Sequence, residues 1–211
     1  MYRMALFVHH PECSIQSANG VIDALTDICT VKLFSHGPVE DHFFDNVDIV
    51  AFPGGIGDSD TYHKLVELNK PVIQRFINRG GAYLGICMGA YWAGHHYLDL
   101  LTDVQAEQYI KRPNTTIRRS YSTVAEVDWQ GEAKEMFFYD GCALVGDETK
   151  FRTVARYANG DPMAIIQNRI GAIGCHPESH QFWYNKPYLE TKWHCGEHHK
   201  LLQYFVQELV K

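Results

Sequence analysis

The sequence lacks any apolar run near the roughly 18 residues that a membrane-spanning helix needs. Its N-terminal stretch MYRMALFVHH runs straight into polar residues and lacks the pattern of a secretory signal. Repeats, linkers and low-complexity stretches are also missing, and 211 residues are enough for one sizeable core. We therefore predict a single cytoplasmic domain over residues 1–211 that has no membrane partner.

An excess of positive charge is missing as well. The chain has 19 Lys and Arg residues against 25 Asp and Glu residues, a net charge of −6 and a sequence pI of about 6.0. One local basic cluster, interpreted as a solvated loop and strand face, contains Lys111, Arg112, Arg118 and Arg119. Because a broad nucleic-acid surface needs a basic excess, we predict no nucleic-acid partner.

No CxxC pair occurs among the six cysteines, which are Cys13, Cys29, Cys87, Cys142, Cys175 and Cys195. In a chain of this length without a secretory signal, scattered cysteines are expected to be free thiols rather than a disulfide framework. Most of them are interpreted as small buried hydrophobic residues. At most one or two cysteines need a chemical explanation.

The first half of the chain alternates between the patterns of buried strands and helices. Strands are predicted at residues 4–10, 29–35, 47–55 and 82–88. Helices are predicted at residues 14–28, 59–80 and 89–98, with Pro71 marking a break or a second start. This β-α-β order predicts an α/β fold with an open, mostly parallel sheet and helices on both faces.

The second half of the chain has a different pattern, with alternating apolar residues and turn signals. Antiparallel strands and hairpins are predicted at residues 116–129, 135–146, 151–160 and 162–178. A final amphipathic helix is predicted at residues 198–211. We therefore expect an antiparallel extension of the parallel sheet.

Residues 80–94, GGAYLGICMGAYWAG, place Cys87 between a predicted strand and a predicted helix. Gly85 and Gly89 flank the cysteine, which is the spacing of the G-x-S-x-G elbow of hydrolases with cysteine in place of serine. A helix N-terminus offers unpaired N–H groups and a positive partial charge that stabilise a thiolate. A buried structural cysteine would fit this short motif about as well, so the surrounding residues must decide.

A base and an orienting carboxylate for such a thiolate occur late in the chain, in GAIGCHPESH. His176 and Glu178 follow an apolar strand, and Pro177 between them restricts the backbone. A nucleophilic cysteine needs a base, and the base needs a group that holds it in place. We therefore predict Cys87, His176 and Glu178 as a catalytic triad, which requires the fold to bring distant segments together.

The stretch FPGGIGDSD, at residues 52–60, supplies a third element of the predicted site. The N–H groups of Gly55 and Met88 are predicted to form an oxyanion hole, although a tight turn would also explain the glycines. Gly54 is predicted to lie near the substrate. Asp58 could contact a substrate amine or cap the following helix, as could Asp60.

In combination, the strand ending in Pro-Gly-Gly, the G-x-C-x-G elbow and the late His-Pro-Glu resemble the class I glutamine amidotransferase superfamily. That resemblance implies a flavodoxin-like fold, with Cys87 as nucleophile, His176 as general base and acid, and Glu178 as the residue that orients the histidine. It also implies an amide substrate and a synthase or ligase partner that receives ammonia.

Several longer stretches, including GGAYLGICMGAYWAG, FFYDGCALVG and GAIGCHPES, more closely resemble the amidotransferase-like N-terminal domain of some biotin–protein ligases. The resemblance runs from about residue 4 to about residue 185. One position departs from the superfamily. Glutamine-hydrolysing members commonly have Gln two residues after the second elbow glycine, and here that residue is Tyr91. The resemblance therefore supports a thiol amide-hydrolase site more firmly than it supports glutamine as the substrate.

Histidines crowd the end of the chain, but their spacing matches no structural zinc pattern. These residues are His180, His194, Cys195, His198 and His199. We predict neither a metal nor an organic cofactor. The aromatic residues of ESHQFWYN could wall the substrate pocket or pack ordinarily, and Trp92 is interpreted as a packing residue.

Three functions remain open from the sequence. The first is a cysteine-dependent amidotransferase-like enzyme that uses the triad, with glutamine as one substrate to test. The second, suggested by Tyr91, is a regulatory module that binds a ligand or partner without catalysis. The third is a small-molecule or peptide hydrolase of the same superfamily, which would need Cys87 but not glutamine.

Overall fold

The strands and helices of the protein come from a computed structural model that describes residues 1–8, 14–55, 64 and 67–211. The strands are β1 (Tyr2–Phe7), β2 (Cys29–Phe34), β3 (Ile49–Phe52), β4 (Ala82–Ile86), β5 (Val104–Gln108), β6 (Thr123–Trp129), β7 (Glu132–Phe138), β8 (Cys142–Gly146), β9 (Arg152–Tyr157), β10 (Pro162–Gln167) and β11 (Ile170–Ile173). The α-helices are α1 (Ile15–Leu25), α2 (Lys70–Asn78), α3 (Met88–Trp92) and α4 (Glu197–Leu209). Within these ranges, no helix has the length and apolarity needed to cross a membrane.

Nine of these strands form one large sheet in the order β2-β1-β3-β4-β11-β10-β9-β6-β7. The pairs from β2 to β11 are parallel, and the pairs from β11 to β7 are antiparallel. Strands β5 and β8 pair separately as an antiparallel two-stranded sheet. The predicted α/β fold is confirmed, with a parallel half and an antiparallel extension.

Helices cover both faces of the parallel half, which explains why its inner strands β3 and β4 are apolar and buried throughout. Helices α1 and α4 pack on one face, against residues such as Leu6 of β1 and Leu84 of β4. Helices α2 and α3 pack on the other face, against residues such as Phe7 and Tyr83. Successive strand residues point to opposite faces, so a strand that is covered on both sides has no polar alternation.

Some predicted boundaries differ from the observed ones because turns interrupt apolar stretches. The helix predicted at residues 89–98 ends at Trp92, where the chain turns and the N–H of Leu98 bonds back to the carbonyl of Trp92. The segment 162–178 is a hairpin, β10 and β11, followed by the turn that carries His176. Strand β5 was not predicted, and Pro71 lies in the first turn of α2, which begins at Lys70. Residues 59–63 and 65–66 of the helix predicted at 59–80 lie outside the described residues.

Candidate functional site

Cys87 lies at the junction of β4 and α3, as the elbow motif predicts. Its backbone has φ 51° and ψ −104°, and positive φ is uncommon for a residue with a side chain. The N–H of Cys87 donates to the carbonyl of Ile173 in the neighbouring strand at 2.8 Å. Such strain costs about 1–3 kcal/mol and persists where the surrounding structure imposes it, often at active sites.

The two elbow glycines are required by backbone contacts rather than by unusual dihedral angles. A Cβ atom on Gly85 would overlap the carbonyl of Gly89 and lie 2.8 Å from the N of Ala90. A Cβ atom on Gly89 would overlap the carbonyl oxygen of Phe52 in β3. The Tyr83 hydroxyl donates to the Gly89 carbonyl at 2.7 Å. The elbow is therefore pressed against the sheet and held there by a hydrogen bond.

His176 and Glu178 reach Cys87 because of the strand order. Strand β11 pairs in parallel with β4, so the carboxyl ends of the two strands are neighbours. Nδ1 of His176 lies 2.8 Å from Oε1 of Glu178, and both side chains are buried. The N–H of His176 also donates to the carbonyl of Phe137 at 2.9 Å, which fixes the turn on β7.

The pKa of His176 is set by two opposing influences, its burial and its contacts with Glu178 and Cys87. Burial by itself lowers this pKa, because an apolar interior disfavours the imidazolium. The charges of Glu178 and Cys87, and hydrogen bonds to both side chains, oppose burial and raise the pKa of His176 to about 10. The structure therefore brings together the three residues that the sequence predicts as a triad.

The two residues predicted to supply the oxyanion donors, Gly55 and Met88, are in contact. A Cβ atom on Gly55 would overlap the thioether of Met88, so Gly55, three residues after β3, lies against the side chain of the first residue of α3. The first N–H groups of a helix have no partner within the helix. Gly54 lies against the imidazole of His176, where a Cβ atom would be 2.6 Å from Cε1. Asp58 and Asp60 lie outside the described residues.

Ser17 is a residue of this site that the sequence analysis missed. Its hydroxyl donates to Oε1 of Glu178 at 2.6 Å and accepts from the N–H of Gly54 at 2.8 Å. Ser17 lies in the first turn of α1 and is fully buried. In the sequence, Ser17 is a serine near the start of a predicted helix, on its apolar face. Serine in that position is equally typical of helix N-terminal capping, so the sequence did not point to the site.

A cleft of about 330 Å³ opens beside His176 and Gly55. Its other lining residues are Ser14, Gln16, Ser122, Phe137, Tyr139, Phe182 and Trp183. The carbonyl of Tyr139 lies 3.7 Å from Sγ of Cys87. Phe182 and Trp183 thus wall the cleft, whereas Tyr184 and Trp92 are buried packing residues.

Tyr91, which stands where glutamine-hydrolysing enzymes commonly have Gln, lies on α3 near Cys87. Its hydroxyl donates to the carbonyl of Asp140 at 3.3 Å. Burial, with smaller contributions from nearby groups including Cys142 and Cys87, raises the pKa of the phenol. Tyr91 is therefore a neutral residue whose hydroxyl already has a backbone partner.

The histidine-rich segment near the C-terminus forms a structural network. The His194 ring bonds to Ser179 through Nε2 at 3.3 Å, and its Nδ1 accepts from the N–H of His198 at 3.3 Å. His199 bonds to the Ser179 carbonyl at 3.0 Å, and His180 pairs with Asp23 at 3.1 Å. The described residues contain no group of three or more His, Cys, Asp or Glu side chains that could hold a metal.

Lowering the pH is expected to destabilise the fold through this network. Burial lowers the pKa of His194 to about 3 and that of His198 to about 4, and the charges of His199 and Lys134 add to this effect. An unfolded histidine binds a proton below about pH 6.5, so stability that is present above that pH is lost as the pH falls toward about 4. Urea unfolding between about pH 7.5 and about pH 5 measures the loss.

Two variants distinguish the contribution of this network to the pH dependence of stability from that of an exposed histidine. His198→Leu should flatten the acid dependence, because a buried titrating group is removed. His42→Leu, at a side chain that is 75% exposed, should keep the wild-type dependence. An unchanged pH dependence in His198→Leu would contradict the assignment.

The other cysteines that the structure describes show no arrangement suited to catalysis. Cys29, Cys142 and Cys175 are free and buried, Cys195 is free and exposed, and Cys13 lies outside the described residues. Cys175 lies within 3.7 Å of the Tyr157 hydroxyl, and burial raises the pKa of its thiol. The three buried thiols match their interpretation as packing residues.

The basic cluster is partly neutralised. Arg112 pairs with Asp161 at 2.9 Å and with Glu107 at 2.7 Å. Lys111, Arg118 and Arg119 are exposed. The cluster is therefore a solvated surface with one ion-paired arginine.

Comparison with known sequences gives a family-model match and a curated relative. Residues 11–108 match the family model described as the N-terminal region of biotin-protein ligase. An uncharacterized protein of Chlamydia muridarum is 33% identical over 169 residues, or 68% of this chain. The chain spans 63% of the length of that curated relative.

Comparison with solved structures identifies the fold. A chain of the PurLQS structure from Thermotoga maritima has a TM-score of 0.69 and 14% identity, covering 100% of both chains. A Thermotoga maritima glutamine amidotransferase has a TM-score of 0.70 and 10% identity, covering 100% of this chain and 98% of that one. A putative GMP synthase component from Thermoplasma acidophilum has a TM-score of 0.64 and 13% identity, covering 99% of this chain and 94% of that one. The predicted resemblance is thereby confirmed in two respects. Residues 11–108 match the N-terminal region of biotin-protein ligase, and the chain as a whole shares the flavodoxin-like fold of glutamine amidotransferases.

Proposed function

We propose that this protein is a cysteine-dependent, amidotransferase-like enzyme that cleaves a carboxamide through a thioester on Cys87. The observation that supports this most is the strained Cys87 next to a buried His176–Glu178 pair. Backbone strain and a perturbed buried histidine at the carboxyl edge of a parallel sheet are typical of catalytic sites. A purely structural cysteine needs neither a base nor a positive φ.

In the first step, the Cys87 thiolate attacks the carbon of the carboxamide. The electron pair of the C=O bond moves to oxygen, where the N–H groups of Gly55 and Met88 stabilise the negative charge. Glu178 holds the imidazolium of His176 beside Cys87, where the cation can pair with the attacking thiolate.

In the second step, His176 donates its proton to the departing nitrogen, and the C–N bond breaks to release ammonia or an amine. The neutral imidazole then takes a proton from water, which attacks the thioester. The carboxylic acid leaves, and the thiolate–imidazolium pair is restored. The raised pKa of His176 suits a group that must hold and then return a proton.

For the substrate, we propose a small primary carboxamide, with glutamine as the first compound to test. The neighbours in fold include chains from PurLQS and from a putative GMP synthase, so we also propose a separate synthase partner that consumes the ammonia. Tyr91 would then occupy space that Gln fills in glutamine-hydrolysing enzymes and would leave substrate contacts to the cleft residues.

A second function is favoured by the cleft itself. Apart from His176 and Gly55 of the proposed catalytic machinery, the described residues that line it are aromatic or neutral polar. Such a wall suits a carboxamide that carries an uncharged apolar group, as in a peptide or another small molecule. This alternative uses the same triad but a different substrate.

Exposure to a chloroketone analogue of glutamine tests these functions. The intact mass of the wild-type protein is measured with and without excess glutamine, next to Cys87→Ser. The proposal expects one adduct that is absent in the variant, because the activated thiolate alone reacts. Suppression by glutamine would support glutamine as the substrate.

The other outcomes are equally informative. An adduct on Cys87 that glutamine does not suppress would favour the hydrolase with another carboxamide substrate. Reaction of other thiols with none at Cys87 would overturn catalysis and support a binding module with this fold.

A further inference from the structure

Ser17 connects two parts of the site that the sequence motifs leave separate. The Gly54 N–H can only donate, so the Ser17 hydroxyl accepts from it at 2.8 Å. The single hydroxyl proton is then left for Oε1 of Glu178, at 2.6 Å. The direction of both hydrogen bonds follows from this count of donors and acceptors.

Oε1 of Glu178 receives two hydrogen bonds at once, one from Ser17 and one from Nδ1 of His176 at 2.8 Å. The other oxygen, Oε2, has no hydrogen-bond partner in the part of the chain that the structure describes. Among the described residues, Ser17 and His176 are therefore the two whose side chains stabilise the fully buried carboxylate of Glu178. A buried charge with few partners depends strongly on each of them.

Helix α1 and the loop that contains Gly54 and Gly55 pack closely around the Glu178 carboxylate. A Cβ atom on Gly20, one turn after Ser17, would overlap the carbonyl of Glu178 and lie 3.0 Å from its Cγ. The loop is tied to the same helix a second time, because the N–H of Ser14 donates to the Gly54 carbonyl at 3.3 Å. In this close packing, the Ser17 hydroxyl takes the place of a water molecule as a hydrogen-bond donor to the Glu178 carboxylate.

We propose that Ser17 is a positioning residue that holds Glu178 in line with His176 and couples the Gly54–Gly55 loop to the triad. Through Gly54, the same hydroxyl fixes the position of the neighbouring Gly55, the proposed oxyanion donor. One side chain, that of Ser17, therefore holds both the Gly54–Gly55 loop and the Glu178–His176 pair in position. This role rests on the proposed function, since it concerns the reaction of the same site.

A spectroscopic measurement tests the role without any turnover. The His176 Nδ1 proton, in its bond to Glu178, is observed by NMR of histidine-labelled protein in wild type, Ser17→Ala and Ser17→Cys. Loss of the hydroxyl should shift and broaden this signal, and the weaker thiol donor of Ser17→Cys should give an intermediate result. Thr115→Val is the matched control, because Thr115 is buried and its hydroxyl has no partner within the described ranges.

Kinetics give the second readout. Ser17→Ala should lower kcat for amide hydrolysis by about 10- to 100-fold and leave KM nearly unchanged, since Ser17 does not line the cleft. The alkylation rate of Cys87, followed by peptide mass, should fall from wild type to Ser17→Cys to Ser17→Ala. Thr115→Val should match wild type in both measurements.

The outcomes separate this proposal from the proposed function. A folded Ser17→Ala variant with the wild-type His176 signal and alkylation rate would overturn the role of Ser17. If Ser17→Ala does not fold, a wild-type His176 signal in Ser17→Cys would overturn it instead. A wild-type protein that shows no Cys87-dependent chemistry would overturn the proposed function, while the NMR comparison would still decide about Ser17.

Discussion

Replacement of Glu178 by Gln is expected to lower amide hydrolysis by about 10³- to 10⁴-fold, as loss of the orienting carboxylate does in other triads. The carboxylate is fully buried, and its Oε1 fixes Nδ1 of His176 at 2.8 Å. A neutral amide keeps the size of the side chain but removes the charge that stabilises the imidazolium. Initial rates at saturating substrate measure the loss.

The pH dependence of Cys87 alkylation should change in a defined direction. In the wild type, the pKa of His176 is raised to about 10, so the imidazolium persists through neutral pH beside the thiol. Without the Glu178 charge, burial pulls the pKa of His176 down, and the imidazolium is lost at lower pH. Reaction with iodoacetamide near neutral pH should therefore slow, and the rate should recover only as the pH rises.

Glu126→Gln is the control for this prediction, because Glu126 is an exposed carboxylate on β6. Its rate and pH profile should match the wild type. If Glu178→Gln kept the wild-type turnover and profile in a folded protein, Glu178 would not be the group that orients His176.

Replacement of Gly89 by Ala is expected to destabilise the protein by about 3 kcal/mol or more, or to prevent folding. The added Cβ would overlap the carbonyl oxygen of Phe52, a backbone atom of a central strand. Neither α3 nor β3 can move away easily, because Tyr83 holds the Gly89 carbonyl and β3 is paired on both edges. Urea unfolding followed by circular dichroism measures the change.

Gly37→Ala is the matched control, since a Cβ atom at Gly37 would meet no heavy atom within 4 Å. The same substitution there should change stability by less than about 1 kcal/mol. Equal stabilities of the two variants would show that the elbow is not tightly packed against β3.

Local sequence patterns predicted much of the fold. Apolar runs such as residues 47–55 and 82–88 predicted strands buried on both faces, because a strand covered by helices on both sides needs no polar alternation. Turns within apolar stretches were harder to predict. The chain turns after Trp92, and the hairpin between β10 and β11 divides a single apolar segment.

The site residues divide in the same way. Gly85, Cys87 and Gly89 are close in the chain, so their spacing alone predicts the elbow. Ser17 and Glu178 lie 161 positions apart, and no local pattern links them. Their contact depends on how α1 packs over the carboxyl edge of the sheet.

The sequence by itself determined most of the strands and helices, the elbow and the chemical types of the triad residues, because each depends on neighbours a few positions away. Tertiary structure alone decided that β11 lies next to β4, which brings His176 to Cys87. It also decided that Ser17 bonds to Glu178 and that the hydroxyl of Tyr91 bonds to Asp140. These contacts follow from strand order and layer packing, which are properties of the whole chain.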